Sequence, residues 1–246
     1  MKWLLYETRV EWGLAVFLAL IAGYLDGYGL LVLGTYVSFM SGNTTIAGLR
    51  SGQAKFTAAL PSAIAILSFI AGSFVGNLFT QSRLRHSHRL IFGGIAGLLA
   101  TVADLERHGL GNAPTKIALL SLAMGMMNPA LSKVGEESVS LTFVTGTLSR
   151  IGGHLAAAAG RKPLPHGQGP CDSHLARAGI DASIWSGFLV GAGLSGIVGS
   201  HFRMWALLPP SVVMTALALF SRCARPSQEK GLQFRCPGGG QRGVVQ

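Results

Sequence analysis

Asp26 is the one acidic residue in a 38-residue stretch, Trp12 to Leu49, that otherwise carries no charge. A carboxylate in such surroundings costs several kcal/mol unless it is protonated, paired or wetted, which makes it a candidate for binding or coupling an ion. A polar run follows it, Val37-Ser38-Phe39-Met40-Ser41-Gly42-Asn43-Thr44-Thr45. Here Ser41, Gly42, Asn43 and Thr44 offer hydroxyls, an amide and accessible backbone. Both features recur later in the chain. Gly125-Met126-Met127-Asn128 stands where Gly23-Tyr24-Leu25-Asp26 stood, and Leu141-Thr142-Phe143-Val144-Thr145-Gly146-Thr147-Leu148 matches the polar run. Asn128, Thr145, Gly146 and Thr147 therefore join the candidate set. A helix broken at such a point presents N–H groups at one end and C=O groups at the other, and can hold an anion or a cation with no added side-chain charge. Close helix packing competes with this reading, because Gly, Ser and Thr also let helices approach and bond across an interface. A protonated Asp26 could equally serve structure by bonding a neighbouring helix, for example through Asn128.

These residues must be held by membrane-spanning elements. Hydrophobic residues make up 49% of the chain and charged residues 12%, with a mean hydropathy of +0.45. A soluble domain carries about a quarter charged residues. Runs with little or no charge lie at Trp12 to Leu49, Phe56 to Ser82, Leu90 to Ala103, Ile117 to Ser132, Ala182 to Phe202 and Met204 to Ser221. Most approach the roughly 17–25 residues that a span requires. The first reads as a span and not as a signal peptide, since five more follow. The net charge of +10 comes from residues between and beyond these runs, as positive-inside topology requires, so nucleic-acid binding is set aside and both termini are expected on the cytoplasmic side.

The chain divides into two repeats, about 10–110 and about 115–221, each with a motif stretch, a long apolar run and a shorter one. They form a single integral membrane domain over 1–221. A Pro/Gly-rich loop insertion occupies 160–180, and the basic, Gly-rich tail 222–246 reads as disordered and cytoplasmic. The uncharged arm from Ser138 to Ser149 is too short to cross alone, so it must enter and return or end at mid-depth. The expected fold is an all-α polytopic membrane protein of about six transmembrane helices plus two broken or re-entrant arms, a 3+3 internal repeat whose halves would be inverted. Four spans in each half would make the halves parallel, and counts of Lys and Arg do not separate the two arrangements.

Gly23-x-x-Asp26, the Val37 to Thr44 run and the Thr142 to Leu148 run together resemble the YoaK-type family of bacterial membrane proteins. The resemblance covers nearly the whole chain between about Val10 and Phe220. It implies a multi-pass protein of the bacterial inner membrane with about six spans, and no particular substrate. Met127-Asn128-Pro129 departs from the Gln-Asn-Ala associated with the family at that point.

Other residues read as structure. Gly72 and Gly76, Gly93 and Gly97, and Gly187 and Gly191 have the four-residue spacing of helix contacts. Trp12, Trp185 and Trp205 suit interfacial anchors. Pro209-Pro210 should kink or restart the last span. Asp104 and Glu106, beside Arg107 and His108, fit a solvated span end, while Met124, Met126 and Met127 fit packing. His166, Cys171 and His174 lack the spacing of a metal site, and Cys223 and Cys236 have no assigned role. No motif calls for a cofactor. Hydrolase and phosphate-loop signatures are absent from the sequence, so an enzyme is not expected. Two hypotheses remain. One is a secondary transporter of a small solute or ion, with the paired motifs facing each other and Asp26 as proton or cation coupling site. The other is a non-transporting sensor or assembly protein whose motifs are packing interfaces. The lipid bilayer is the expected partner, nucleic acid is not, and a homo-oligomer is left open.

Overall fold

The computed structural model describes residues 2–82, 86–130, 133–134, 137–138, 144–163, 173–202 and 205–220. Helix α1, Lys2–Tyr28, continues through a π-helical turn, Gly29–Leu33. A loop then leads to the short α2, Met40–Gly52, and on to the long α3, Phe56–Gln81, and α4, Ser87–Arg107. The rest of the chain holds α5 (Ala113–Met127, extended by a 3₁₀ turn, Asn128–Ala130), α6 (Val144–Ala159), α7 (His174–His201) and α8 (Leu208–Phe220). Between α5 and α6 lies a minimal antiparallel ladder, Lys133–Val134 with Glu137–Ser138.

Among the described residues, four helical segments are long and apolar enough to cross a membrane: Trp12–Leu33, Phe56–Gln81, Ser87–Arg107 and His174–Gly199. Two shorter apolar helices, α5 and α8, complete a set of six. The fourth long segment begins earlier than the apolar run at Ala182 suggests, so Arg177 and Asp181 lie within it. Helix starts follow local chemistry. The Asn112 side chain accepts from Thr115 N–H at the head of α5, and Ser173 Oγ accepts from Ala176 N–H at the head of α7, each satisfying one orphan donor. Pro209 and Pro210 occupy the first turn of α8, where a missing N–H costs nothing, so they start the helix and do not kink it.

Helix α1 packs on α7, α3 on α5, α4 on α8, α2 on α3 and α6 on α7. Both long contacts join helices running in the same direction. Trp12 Nε1 donates to Ser183 Oγ at 2.7 Å, Gly187 meets the Val16 carbonyl, Gly191 the Leu20 carbonyl, and Gly27 the Ala192 carbonyl and the Ser195 hydroxyl, so residue numbers rise together along the pair. In α3 and α5, Gly72 meets the Leu122 carbonyl and Gly76 the Met126 carbonyl. The contacts correspond pairwise. Gly23 abuts the Phe188 carbonyl as Gly125 abuts the Phe69 carbonyl, and Gly191 abuts Leu20 as Gly72 abuts Leu122. A Cβ at any of these four glycines would overlap a backbone oxygen, and such close approach is where van der Waals packing between membrane helices is strongest.

Gly93 and Gly97 do not join this pattern, despite identical spacing. No atom beyond their own helix backbone lies within 4 Å of where a Cβ would stand, whereas their neighbour Gly94 faces the Met126 methyl. Leu18, Leu25, Tyr28, Ile91, Ile95, Leu99, Leu120, Met124 and Met127 are fully buried in the core, so the methionines are packing residues. Phe56, Leu60, Leu67, Ile70, Phe74 and Leu78 are exposed along α3, an apolar face suited to lipid. Glu106 is not a solvated span end, because it pairs with Lys116 at 2.5 Å with both side chains only 11% exposed. Its neighbour Asp104 does face solvent, beside His108, and the Arg107 guanidinium lies 5.2 Å from the centre of the Trp205 ring. Cys171, Cys223, Cys236, His166 and the tail 222–246 lie outside the described residues.

Candidate functional site

The first motif is a broken helix. The π-helical turn ends at Gly34, whose φ of 68° is the left-handed conformation that glycine adopts most easily. Gly34 N–H and Thr35 N–H close on the carbonyls of Leu30 and Gly29. The chain then folds back over Gly29, where a Cβ would stand 2.7 Å from the Thr35 oxygen. This return carries residues 37–39 back to the level of Asp26.

Asp26 is 4% exposed, and each of its hydrogen bonds comes from that returning segment. Val37 N–H and Ser38 N–H donate to Oδ1 at 2.8 and 2.6 Å, and Phe39 N–H approaches the same oxygen at 3.4 Å. The Ser38 hydroxyl donates to Oδ2 at 2.6 Å. The carboxylate thus satisfies the backbone donors of the loop just ahead of α2, a segment with no ladder or helix of its own to bond them. The positive end of the α2 dipole adds to this. The segment needs such a partner, since unpaired backbone at membrane depth would cost several kcal/mol per group. Asn128 is not among Asp26's partners; it lies half-buried where α5 passes into its 3₁₀ turn. Asp26 therefore ties together its own half of the chain and does not bridge to the other motif.

Asn43 lies one turn into α2 and is fully buried. Its Nδ2 donates to the Tyr36 carbonyl at 2.7 Å, which fixes the orientation of the amide and leaves Oδ1 buried with no hydrogen-bond partner. Asn43 N–H bonds the Phe39 carbonyl, so the two backbone groups of one residue, Phe39, link Asn43 and Asp26. Gly42 must lack a side chain, because a Cβ there would stand 2.5 Å from the Phe39 ring, which packs edge-on against Tyr36. Ser41 and Thr44 face outward, and the Thr44 hydroxyl bonds back to the Met40 carbonyl.

In the second motif Thr147, at the position of Asn43, is likewise buried, Thr145 is exposed and Gly146 half-buried. The residues 141–143 that precede them lie outside the described residues. What holds this arm is a charge pair that the sequence reading passes over. Arg150 on α6 donates through Nε and Nη2 to the two carboxylate oxygens of Asp181 on α7, at 3.2 and 3.0 Å. Arg150 Nη2 also lies 3.4 Å from the Thr147 hydroxyl. Asp181 is 2% exposed, and the Arg150 side chain is 28% exposed. The second half is thus not the neutral one that matching Asp26 to Asn128 suggests. Asp181 escapes notice because it stands one residue before the apolar run at Ala182. A lone acid at the edge of one helix and a lone base on the next were the available signal.

Arg150→Ala is expected to cost about 2 kcal/mol of stability, below the 3–5 kcal/mol typical of breaking a fully buried pair because the arginine is partly solvated. Arg150→Ala/Asp181→Leu should recover part of that loss, since no unpaired charge then stays buried. Thermal denaturation in detergent measures both, and a double variant weaker than the single one by a further 2 kcal/mol would contradict this account.

A bundle of long apolar helices with a broken arm locked by an intramembrane carboxylate defines a polytopic, all-helical membrane protein. The chain belongs to the DUF1275 family, a family described as of unknown function, whose model matches residues 14–220. It is similar to the UPF0700 transmembrane protein RA0705 of Rhizobium meliloti (strain 1021), with 34% identity over 148 residues, or 59% of this chain and 63% of that protein. It is also similar to the UPF0700 transmembrane protein YoaK of Bacillus subtilis (strain 168), with 28% identity over 140 residues, or 54% of this chain and 62% of that protein. The chain thus spans a little under two thirds of the length of each relative. No solved structure matches it.

Proposed function

We propose that the chain is a secondary transporter of a small solute in the bacterial inner membrane, built from two related halves whose arms, α2 and α6, frame the solute path. The observation that carries this reading is the Asp26-locked break between the π-helical turn and α2. Irregular backbone at membrane depth is kept only where it is packed in protein or lines a cavity, and broken helices are the common solute- and ion-binding device of such proteins. The pairwise correspondence of Gly23 with Gly125 and of Gly191 with Gly72 supports a two-part architecture that can rock about a central site. Asp26 is the residue assigned to coupling, with Asn43, Asn128 and Thr147 shaping the site and Ser41, Gly42, Thr44, Thr145 and Gly146 bordering it.

A second reading has its own support. Gly23 and Gly125, the first glycines of the motifs, are both occupied by helix contacts, as a sensor or assembly protein with purely structural motifs would require. Reconstitution of the purified chain in liposomes separates the two. Uptake of labelled amino acids, sugars, carboxylates and monovalent cations is measured with and without an imposed proton or sodium gradient. The transporter reading expects one class to accumulate above protein-free liposomes, and Asp26→Asn to cut that uptake at least ~10-fold, equivalent to about 1.4 kcal/mol, while eluting as a folded protein. Flat uptake across the panel would favour the packing reading.

A further inference from the structure

The Arg150–Asp181 pair is followed, one helical turn further along α6, by a second polar contact to α7. His154 Nδ1 and His174 Nδ1 are 3.0 Å apart, with ring centres 5.3 Å apart and planes inclined by 41°. Two imidazole nitrogens at that distance share one proton, one donating and the other accepting through its lone pair. If both rings are protonated, both nitrogens are donors and the contact becomes repulsive. His174 Nε2 sharpens this, because it is buried with no hydrogen-bond partner. A second N–H on a charged His174 ring would therefore lie buried without an acceptor for as long as α6 stays closed on α7.

We propose that His154 and His174 form a pH-sensitive latch that fastens the loop end of α6 to α7 and releases it on acidification, with the Arg150–Asp181 pair serving as the hinge. Imidazoles as a class change charge between about pH 5 and 8. Opening is confined to the half of α6 beyond Arg150, because the two-point Arg150–Asp181 contact holds the other half to α7. The surrounding charges fit release. On α6 and just beyond it stand Arg150, Arg161 and Lys162, and on α7 Arg177 and Asp181, with Asp181 already committed to Arg150. Metal chelation by the two rings is disfavoured by this basic setting, and among the described residues no group of three or more His, Cys, Asp or Glu gathers to hold a metal. The latch does not depend on what the arms carry, or on whether they carry anything.

The test places spin labels at Leu155→Cys and Leu175→Cys, both exposed positions, in the full chain with Cys171, Cys223 and Cys236 replaced by serine and the protein in lipid nanodiscs. At pH 8 a single short distance is expected. At pH 5 most of the population should shift to a distance longer by about 5 Å, one helical turn. In His154→Asn, whose amide still bonds but does not titrate, the short distance should persist at both pH values. A distance that does not move with pH in the parent overturns the latch, as does an unchanged pH response in His154→Asn. If that variant does not purify as a monodisperse protein, His174→Asn replaces it with the same expected results.

Discussion

Gly191→Leu is expected to leave no folded protein to extract from the membrane. Gly191 lies directly against the Leu20 carbonyl and close to the backbone nitrogen of Tyr24, so a Cβ would overlap fixed main chain on α1. No rotamer change relieves that overlap, and the two helices would have to separate along their length. Trp12–Ser183 at one end and Gly27–Ser195 at the other would be lost with it. Gly72→Leu should fail in the same way through the Leu122 carbonyl. The control is Gly97→Leu, at a glycine with nothing near it. There leucine should be neutral or slightly stabilising, since it exceeds glycine in helix propensity by up to about 1 kcal/mol. Detergent extraction followed by size-exclusion chromatography of a fluorescent fusion reads all three. A monodisperse Gly191→Leu protein with the parent's thermal midpoint would refute the close α1–α7 contact.

Asp26→Ala should lower stability by about 3 kcal/mol. The carboxylate takes part in four hydrogen bonds, and its removal strands Val37 N–H, Ser38 N–H and the Ser38 hydroxyl inside the bundle. Charge-assisted bonds contribute about 1.5–3 kcal/mol each, offset here by relief of the buried charge. Asp26→Asn should lose about 1 kcal/mol, because its carbonyl oxygen can still accept from the backbone while the Ser38 hydroxyl turns to accept from the new amide. Thermal denaturation followed by circular dichroism provides the comparison. Equal losses for Ala and Asn would mean that the negative charge itself, and not the set of bonds it accepts, holds the arm in place.

The gap between what the residues announce and what they do follows from geometry. Asp26 and the two polar runs were legible because a charge or a cluster of small polar residues inside apolar sequence is costly unless it has a use. Asp26's partner was not legible, since its bonds come mainly from backbone N–H groups of Val37 and Ser38, which any sequence possesses. The six apolar helices follow from run lengths, and the helix start at Pro209-Pro210 follows from proline chemistry. The second arm does not follow from run length, because the uncharged run ends at Ser149 while α6 continues through Arg150 to Ala159. Glycine spacing gave two correct expectations, Gly72 with Gly76 and Gly187 with Gly191, and one incorrect one. Gly72 and Gly76 are buried in a contact while Gly93 and Gly97 face outward, because a four-residue repeat marks a face and says nothing about what lies opposite. Glu106 was read as solvated and Asp181 passed unnoticed for a common reason. Each sits at the boundary of an apolar run, where sequence alone cannot separate a solvated end from a buried pair with Lys116 or Arg150.

The same-direction pairing of α1 with α7 bears on how the protein is made. Ser183 is 171 residues downstream of Trp12, so at about 5–20 residues per second α1 spends roughly 10–30 s in the membrane before its partner has been synthesised. During that interval the surface that will take Gly187 and Gly191 has only lipid, the insertion machinery or the wrong helix to meet. Slow synthesis upstream of α7 should therefore trap misassembled chains, and a pulse-chase experiment would find α1 acquiring protease resistance only after α7 has entered the bilayer.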